Sequence, residues 1–220
     1  MNINKLIDHT LLKADATHDQ IKRLCQEARL YDFASVCVNS YWVSYCSELL
    51  SGSDVNVCCV IGFPLGASST NVKAFAASNA IKDGAEEIDM VMNIGAFLSC
   101  DYETVLNDIK AVVNAANGHC VKVILETCLL DNAQIVKACQ LCVEAEATFV
   151  KTSTGFNSAG ANPAVVKLMK DTVKDKCLVK AAGGVRSRLD LDLMVSAGAD
   201  RIGTSSGVAI MNEPKHDVNL

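Results

Sequence analysis

Short runs of β-branched and apolar residues alternate with stretches whose apolar residues recur every three or four positions, from one end of the chain to the other. The runs predict eight strands, near residues 6–10, 34–39, 56–62, 87–93, 121–126, 148–153, 178–182 and 199–204. Between them lie amphipathic segments such as Ile21, Leu24, Cys25 and Ala28, or Val105, Ile109, Val112 and Ala116, each able to cover one side of a sheet. Local chemistry marks the helix starts. Thr17 with Gln20 and Asp131 with Gln134 have the spacing of a reciprocal cap, and Asn162-Pro163 puts a capping side chain before a proline at the first helical position. Nothing divides the chain, neither linker nor low-complexity tract, so a single α/β domain over residues 1–220 is expected. Eight strands fit a minimal (β/α)8 TIM barrel, whereas an open doubly wound sheet would leave strands over.

Composition narrows the class. With 220 residues, 50% apolar and 20% charged, the chain can fill one ordinary core, which excludes a disordered tail or a disulfide mini-domain. A net charge of −5 without a basic stretch argues against nucleic acid as a partner. No window approaches the roughly 20 apolar residues of a membrane span, and Met1-Asn2-Ile3-Asn4-Lys5 lacks an apolar signal core, so a cytoplasmic location away from the membrane is expected. Eleven cysteines, an odd number, sit mostly in apolar contexts such as Val36-Cys37-Val38 and Val57-Cys58-Cys59-Val60, which suits reduced core thiols. Cys139 and Cys142 have CxxC spacing, yet neither a second pair nor a nearby histidine completes a metal set, so no metal is expected there.

Strands buried on both faces should be almost continuously apolar, so charges inside them are anomalies. They are Asp89 in the fourth strand, Lys122 and Glu126 in the fifth, Lys151 in the sixth and Lys180 in the seventh. Period-two alternation puts Lys122 and Glu126 on one face and Val121, Val123 and Leu125 on the other, so the charged face is the barrel interior. Lys151 and Lys180 precede glycine- and hydroxyl-rich loops at the carboxyl ends, where barrel enzymes keep their active sites. Two inward ammonium groups on adjacent strands repel, and burial also disfavours charge, so at least one lysine should fall from about 10.4 toward a neutral, nucleophilic amine. Such an amine forms an iminium ion with a carbonyl substrate, the chemistry of an aldolase that needs no metal or organic cofactor; Asp89 could shuttle the protons. The plain alternative is structural ion pairing, Lys122 to Glu126 or Lys180 to Asp89. Three lysines against two acids leave an excess of positive charge that a structural design has little reason to hold.

The loops after the last three strands contain Thr154-Gly155, Gly183-Gly184-Val185 and Gly203-Thr204-Ser205-Ser206-Gly207, the last able to open a short helix. Glycines allow close backbone approach, and hydroxyls and helix amino ends favour anions, so a phosphate cup and a small phosphorylated substrate are expected.

Asp89, Lys151, Lys180 and the glycines after the sixth and seventh strands fall within a set of longer motifs: Asp8-His9-Thr10-Leu11-Leu12-Lys13, Val60-Ile61-Gly62-Phe63-Pro64-Leu65-Gly66, Glu87-Ile88-Asp89-Met90-Val91, Phe149-Val150-Lys151-Thr152-Ser153-Thr154-Gly155-Phe156 and Val179-Lys180-Ala181-Ala182-Gly183-Gly184-Val185-Arg186. By these the chain resembles the deoxyribose-phosphate aldolase family from residue 8 to about residue 207. The resemblance implies a class I aldolase that reversibly cleaves 2-deoxy-D-ribose 5-phosphate to acetaldehyde and D-glyceraldehyde 3-phosphate, in deoxyribose catabolism. It implies Lys151 as the Schiff-base lysine, Lys180 as the neighbour that lowers its pKa and Asp89 as the proton relay; physical reasoning alone leaves Lys151 and Lys180 equivalent. It further implies Asp8, Thr10, Cys37 and Lys122 around the substrate, and Gly155, Gly183, Gly184, Gly203, Ser205 and Ser206 around the phosphate. The expected partners are thus a sugar phosphate and small aldehydes, with a homodimer through outer helices. Two departures stand out: Asn39-Ser40, where many relatives have a proline after the asparagine, and the tail from Glu213 to Leu220, which offers no tyrosine.

Overall fold

The computed structural model describes residues 2–216 and 218. Eight parallel strands, β1 (Ile7–Leu11), β2 (Ser35–Val38), β3 (Asn56–Ile61), β4 (Glu87–Val91), β5 (Cys120–Ile124), β6 (Phe149–Lys151), β7 (Leu178–Ala182) and β8 (Arg201–Thr204), close in chain order into a barrel. The closing ladder pairs Asp8 with Gly203. Around it lie α1 (His18–Tyr31), α2 (Val43–Leu50), α3 (Thr70–Lys82), α4 (Ile94–Leu98), α5 (Tyr102–Ala115), α6 (Asn132–Glu144), α7 (Pro163–Val173), α8 (Arg188–Ser196) and α9 (Gly207–Asn212). No helix among the described residues is long and apolar enough to cross a membrane. Positions 217, 219 and 220 of the tail, part of the tyrosine-free segment singled out above, lie outside the described residues.

The expected caps form. Thr17 Oγ1 accepts the Gln20 N–H while the Gln20 side chain accepts the Thr17 N–H, and Asp131 and Gln134 do the same at α6. Asn162 Oδ1 accepts the Val165 N–H in front of Pro163. Each satisfies backbone donors that the first helical turn leaves unpaired, for about 1 kcal/mol.

Alternation along each strand sorts side chains into two layers. Ile88, Met90, Val121, Val123, Val150, Val179 and Ile202 point outward into one continuous core with Leu24, Ile109, Ile135, Val166 and Leu191 of the helices. Each such side chain contributes roughly 1.5–3 kcal/mol by leaving water. His9, the odd member of β1, also faces outward: its Nε2 lies 2.8 Å from Glu27 Oε2 on α1. Inside the barrel the walls differ. Leu12, Cys37, Cys58 and Val60, with Phe63 against them, form an apolar side next to β1–β3, and the charged residues of β4–β8 face it.

Outside the barrel, Lys73 of α3 is fully buried, with Nζ 2.6 Å from Asp108 Oδ2 of α5 and 2.9 Å from the Val91 carbonyl oxygen. Its stem runs so close to Gly62 that a Cβ there would meet Lys73 Cε at 2.9 Å. The pair thereby fixes the loop after β3, which carries Phe63 over the carboxyl-terminal mouth.

Three strands, β4, β5 and β6, end two residues earlier than the apolar runs suggest. β5 stops at Ile124, and Glu126 adopts a left-handed conformation, φ 56°. The pleat is broken there, so Glu126 does not stand in line with Lys122. Its carboxylate instead accepts from Thr154 Oγ1 at 2.5 Å and from the Thr154 N–H at 3.2 Å. The expected place of Glu126 on the interior face beside Lys122 is corrected accordingly, the alternative of a Lys122–Glu126 ion pair falls with it, and Glu126 becomes a brace for the loop after β6.

Candidate active site

A cavity of about 460 Å³ opens at the carboxyl ends of the strands. Thr10 and Lys151 line it, and so do Gly155, Gly183, Gly184, Gly203 and Ser205 from the loops after β6, β7 and β8. Ser206 stands behind this lining, its N–H given to Thr204 Oγ1 at 2.9 Å. Two cations not assigned from sequence, Lys13 and Arg186, also border the cavity. Both had appeared only as edges of motifs; the signal that distinguishes them is position, one residue beyond Leu12 and two beyond Gly184.

The loops are interlocked. The Ala161 N–H bonds the carbonyls of Ala182 and Gly183 at 3.1 and 2.9 Å, and a Cβ on Gly160 would meet the Gly183 oxygen at 2.1 Å. Below them, Thr152 Oγ1 donates to the Ala182 carbonyl and accepts the Ala182 N–H, tying β6 to β7 just past the two lysines. Phe63 and Phe156 meet edge to face across the mouth, ring centroids 5.1 Å apart at 88°.

Beneath the cavity lies a buried charge cluster. Lys151 and Lys180 are register partners on β6 and β7. Asp89 Oδ2 lies 2.7 Å from each ammonium nitrogen, and Asp89 Oδ1 lies 2.8 Å from Lys122 Nζ. Lys180 Nζ also stands 2.5 Å from Asp8 Oδ2, and Lys122 Nζ stands 2.5 Å from Glu87 Oε2 and 3.7 Å from Asp8. Arg201 Nη1 closes the base, 2.7 Å from Asp8 Oδ1 and 3.2 Å from Glu87 Oε2. Asp8, Cys37 and Lys122, expected around the substrate, are fully buried and do not line the cavity; they form its underside. Of the three lysines, Lys151 alone reaches the cavity wall.

For Lys180 the carboxylates outweigh the repulsion between neighbouring lysines: burial pushes it down, but Asp8 and Asp89 more than offset this and hold it above the ordinary lysine value. Lys122 behaves alike under Asp89, Asp8 and Glu87. Burial likewise pushes Asp8 and Asp89 up, and the surrounding cations overcome it and hold both carboxyls well below the usual range. The interior holds Asp8 and Glu87 in place of Glu126, and Arg201 besides the three lysines. Four cations thus face three carboxylates, and a surplus of one positive charge remains. Lys180 and Lys122 are held as cations by several carboxylates, whereas Lys151 has a single carboxylate contact, Asp89.

Cys37 Sγ, Cys58 Sγ and an Asp89 oxygen lie within 4.8 Å of one another, the one group of three potential metal donors among the described residues. Both Asp89 oxygens are already held by ammonium groups, which would repel an entering cation. Cys139 and Cys142 are buried in α6, where burial pushes Cys142 well above the ordinary thiol value and Cys139 up to about 12, so neither offers a thiolate.

Comparison with known proteins agrees with this geometry. The sequence profile described as DeoC/LacD family aldolase matches residues 3–213. The chain is 59% identical over 219 residues to deoxyribose-phosphate aldolase 1 of Mesoplasma florum, covering 100% of both chains. It is 58% identical over 212 residues to the deoxyribose-phosphate aldolase of Streptococcus uberis, covering 96% of each. Its fold superposes with a TM-score of 0.89 on the tetrameric deoxyribose phosphate aldolase from Aeropyrum pernix, at 37% identity over 95% of this chain and 89% of that one. A structure named QR15, an aldolase, gives 0.91 at 41% identity over 94% and 93%. With profile, relatives and barrel in agreement from end to end, the chain belongs to the DeoC/LacD family of aldolases.

Proposed function

We propose that this chain is a class I aldolase that reversibly cleaves 2-deoxy-D-ribose 5-phosphate to acetaldehyde and D-glyceraldehyde 3-phosphate, with Lys151 as the Schiff-base lysine. The observation that carries this reading is the position of Lys151: it is the one amine of the buried cluster that meets the cavity, and it shares the Asp89 oxygen with a permanently charged Lys180. The names of the full-length relatives support the same substrate.

In the cleavage direction the neutral Lys151 amine adds to the aldehyde carbon of the open-chain sugar, and loss of water from the carbinolamine leaves an iminium ion. The hydroxyl on the third carbon gives its proton to Asp89 through a water, the bond between the second and third carbons breaks, and its electron pair forms the enamine double bond as the iminium π pair moves to nitrogen. Glyceraldehyde 3-phosphate leaves. The resulting enamine is protonated on its terminal carbon, and water then releases acetaldehyde and restores the amine. Asp89 is held too firmly as a carboxylate to keep a proton. That suits it to stabilising the iminium charge and to passing protons between nitrogen and oxygen as the carbinolamine forms and collapses. Lys180 stays cationic beside Lys151 and shares its carboxylate partner, Asp89.

The phosphate end belongs among Gly155, Gly183, Gly184, Gly203 and Ser205, with Ser206 behind them. Backbone N–H groups can approach there without side chains in the way, and Lys13 and Arg186 supply positive charge. We further propose self-association, with the exposed Leu65, Val72 and Phe75 around α3 as its apolar face. Sedimentation at micromolar concentration should show a dimer or larger species, and a monomer mass would reject that part.

The deciding experiment is borohydride reduction in the presence of acetaldehyde followed by mass mapping. The adduct is expected on the peptide containing Lys151. A second arm compares deoxyribose with its 5-phosphate: equal kcat/KM for the two would remove the phosphate site from the reading.

A further inference from the structure

The mechanism uses the top of the charge cluster and leaves its base unexplained. Glu87 and Arg201 lie at the amino-terminal mouth of the barrel, on the side opposite the cavity. Arg201 Nη1 bridges Asp8 Oδ1 and both Glu87 oxygens, at 2.7, 3.3 and 3.2 Å. Glu87 also receives Asn56 Nδ2 at 3.0 Å and holds Lys122 Nζ at 2.5 Å. From this base two chains of contact rise to the one carboxylate beneath the reacting amine, the first to Asp89 Oδ1 and the second to Asp89 Oδ2. One runs from Glu87 through Lys122 to Asp89, and the other from Arg201 through Asp8 and Lys180 to Asp89. The Phe149 ring lies beside both cations of the base, its centroid 5.4 Å from the Arg201 guanidinium carbon and 6.0 Å from Lys122 Nζ, which keeps that region apolar.

We propose that Glu87 and Arg201 are positioning residues that set the net charge felt by the reacting amine from the far end of the barrel. Every strand contributes to that interior. β1 supplies Asp8, β2 and β3 the thiols of Cys37 and Cys58, and β4 supplies Glu87 and Asp89; β5 through β8 supply Lys122, Lys151, Lys180 and Arg201. Glu126, above the ladder, is turned to Thr154. Four cations against three carboxylates leave a surplus of one, and loss of one proton from the amine that meets the cavity brings the cluster to neutrality. Glu87 and Arg201 each carry one unit of that tally without touching the substrate. A plug that merely sealed the barrel would serve equally well with a neutral pair of the same size, whereas a charge-setting pair would not.

The proposal rests on the Schiff-base reading, and it predicts opposite displacements from two changes that each remove one charge. Glu87→Gln removes a negative charge and raises the surplus, so the free amine is favoured and the acid limb of the kcat/KM profile moves to lower pH. Arg201→Gln removes a positive charge, and the limb moves to higher pH. A unit charge two strand spacings away, about 10 Å, in a medium of effective dielectric about 20, displaces the limb by roughly one pH unit. The double variant Glu87→Gln/Arg201→Gln should return the limb to the wild-type position, and Arg201→Lys, which keeps the charge, should leave it there.

The experiment is the pH dependence of kcat/KM for the wild type and these four variants, with borohydride trapping of acetaldehyde at a pH above the limb and a melting curve for each. Opposite displacements that cancel in the double variant support the proposal. Normal trapping with no displacement, or with both displaced in one direction, overturns it while leaving the Schiff-base reading in place. Absence of an adduct in the wild-type protein removes both. Should Glu87→Gln fail to fold, the contrast between Arg201→Gln and Arg201→Lys decides: displacement in the first alone supports charge setting, and equal behaviour of the two overturns it.

Discussion

Lys151 and Lys180 stand side by side on adjacent strands and share one oxygen of Asp89, 2.7 Å from each nitrogen. The two amines are alike in sequence context and unlike in surroundings. Lys180 has a second carboxylate, Asp8, and no exposure; Lys151 has the cavity.

Lys151→Leu should abolish both turnover and the reducible acetaldehyde adduct while leaving the circular dichroism spectrum unchanged. An adduct that survives would show that another amine carries the chemistry.

Lys180→Leu removes the fixed cation, and the acid limb of the rate profile should move to higher pH, because the remaining amine loses a like-charged neighbour. The same change strips Asp8 and Asp89 of a partner in a buried site, which costs about 3–5 kcal/mol of stability. Denaturant midpoints and the profile together test this. A strongly destabilised protein with an unmoved limb would reject the electrostatic role and keep the structural one.

The acid stability of the fold follows from Asp8 and Asp89. Both have folded values depressed below the ordinary 3.8, so the stability they contribute is fully present above pH 3.8 and is lost as pH falls through their folded values. Urea midpoints should hold between pH 7 and pH 5 on account of these groups and drop steeply below pH 3.8. Asp8→Asn should flatten that drop. Lys122 and Lys180, raised above the ordinary 10.5, contribute stability present below that value and lost only in stronger alkali.

Ser205→Asp places a carboxylate in the cavity wall where the phosphate is proposed to lie. KM for deoxyribose 5-phosphate should rise at least about tenfold, while the weak activity on unphosphorylated deoxyribose changes little. Equal effects on the two would place the phosphate elsewhere.

Gly160→Ala drives a Cβ into the Gly183 carbonyl and must part the loops after β6 and β7. Backbone meets backbone there, so no flexible side chain can yield. Phosphate-dependent KM should rise with the borohydride adduct retained; loss of the adduct as well would mean that the loops also position Lys151.

Much of this was legible in the pattern of residues. The eight apolar runs lie within about two residues of the strands at most ends, and Thr17, Asp131 and Asn162 mark their helices because a cap is a short-range interaction, written in neighbours. Inward placement of Lys122, Lys151 and Lys180 also follows from period two. Glu126 was misplaced by extending that period past Ile124, where a left-handed residue ends it. Glu87 and Arg201 went unassigned although the same alternation puts them in phase with Asp89 and Gly203. As the first residues of their strands, next to Glu86 and Asp200, they look like turn charges. The Lys73–Asp108 pair was illegible for a related reason, since a lysine on an amphipathic helix ordinarily marks the solvated face.

The edge-to-face meeting of Phe63 and Phe156 has a mechanical corollary. A contact of that kind is worth about 0.5–1.5 kcal/mol beyond the area it covers. So light a bond between the loops after β3 and β6 makes a soft rim: the rings can part without disturbing the strands that carry Lys151.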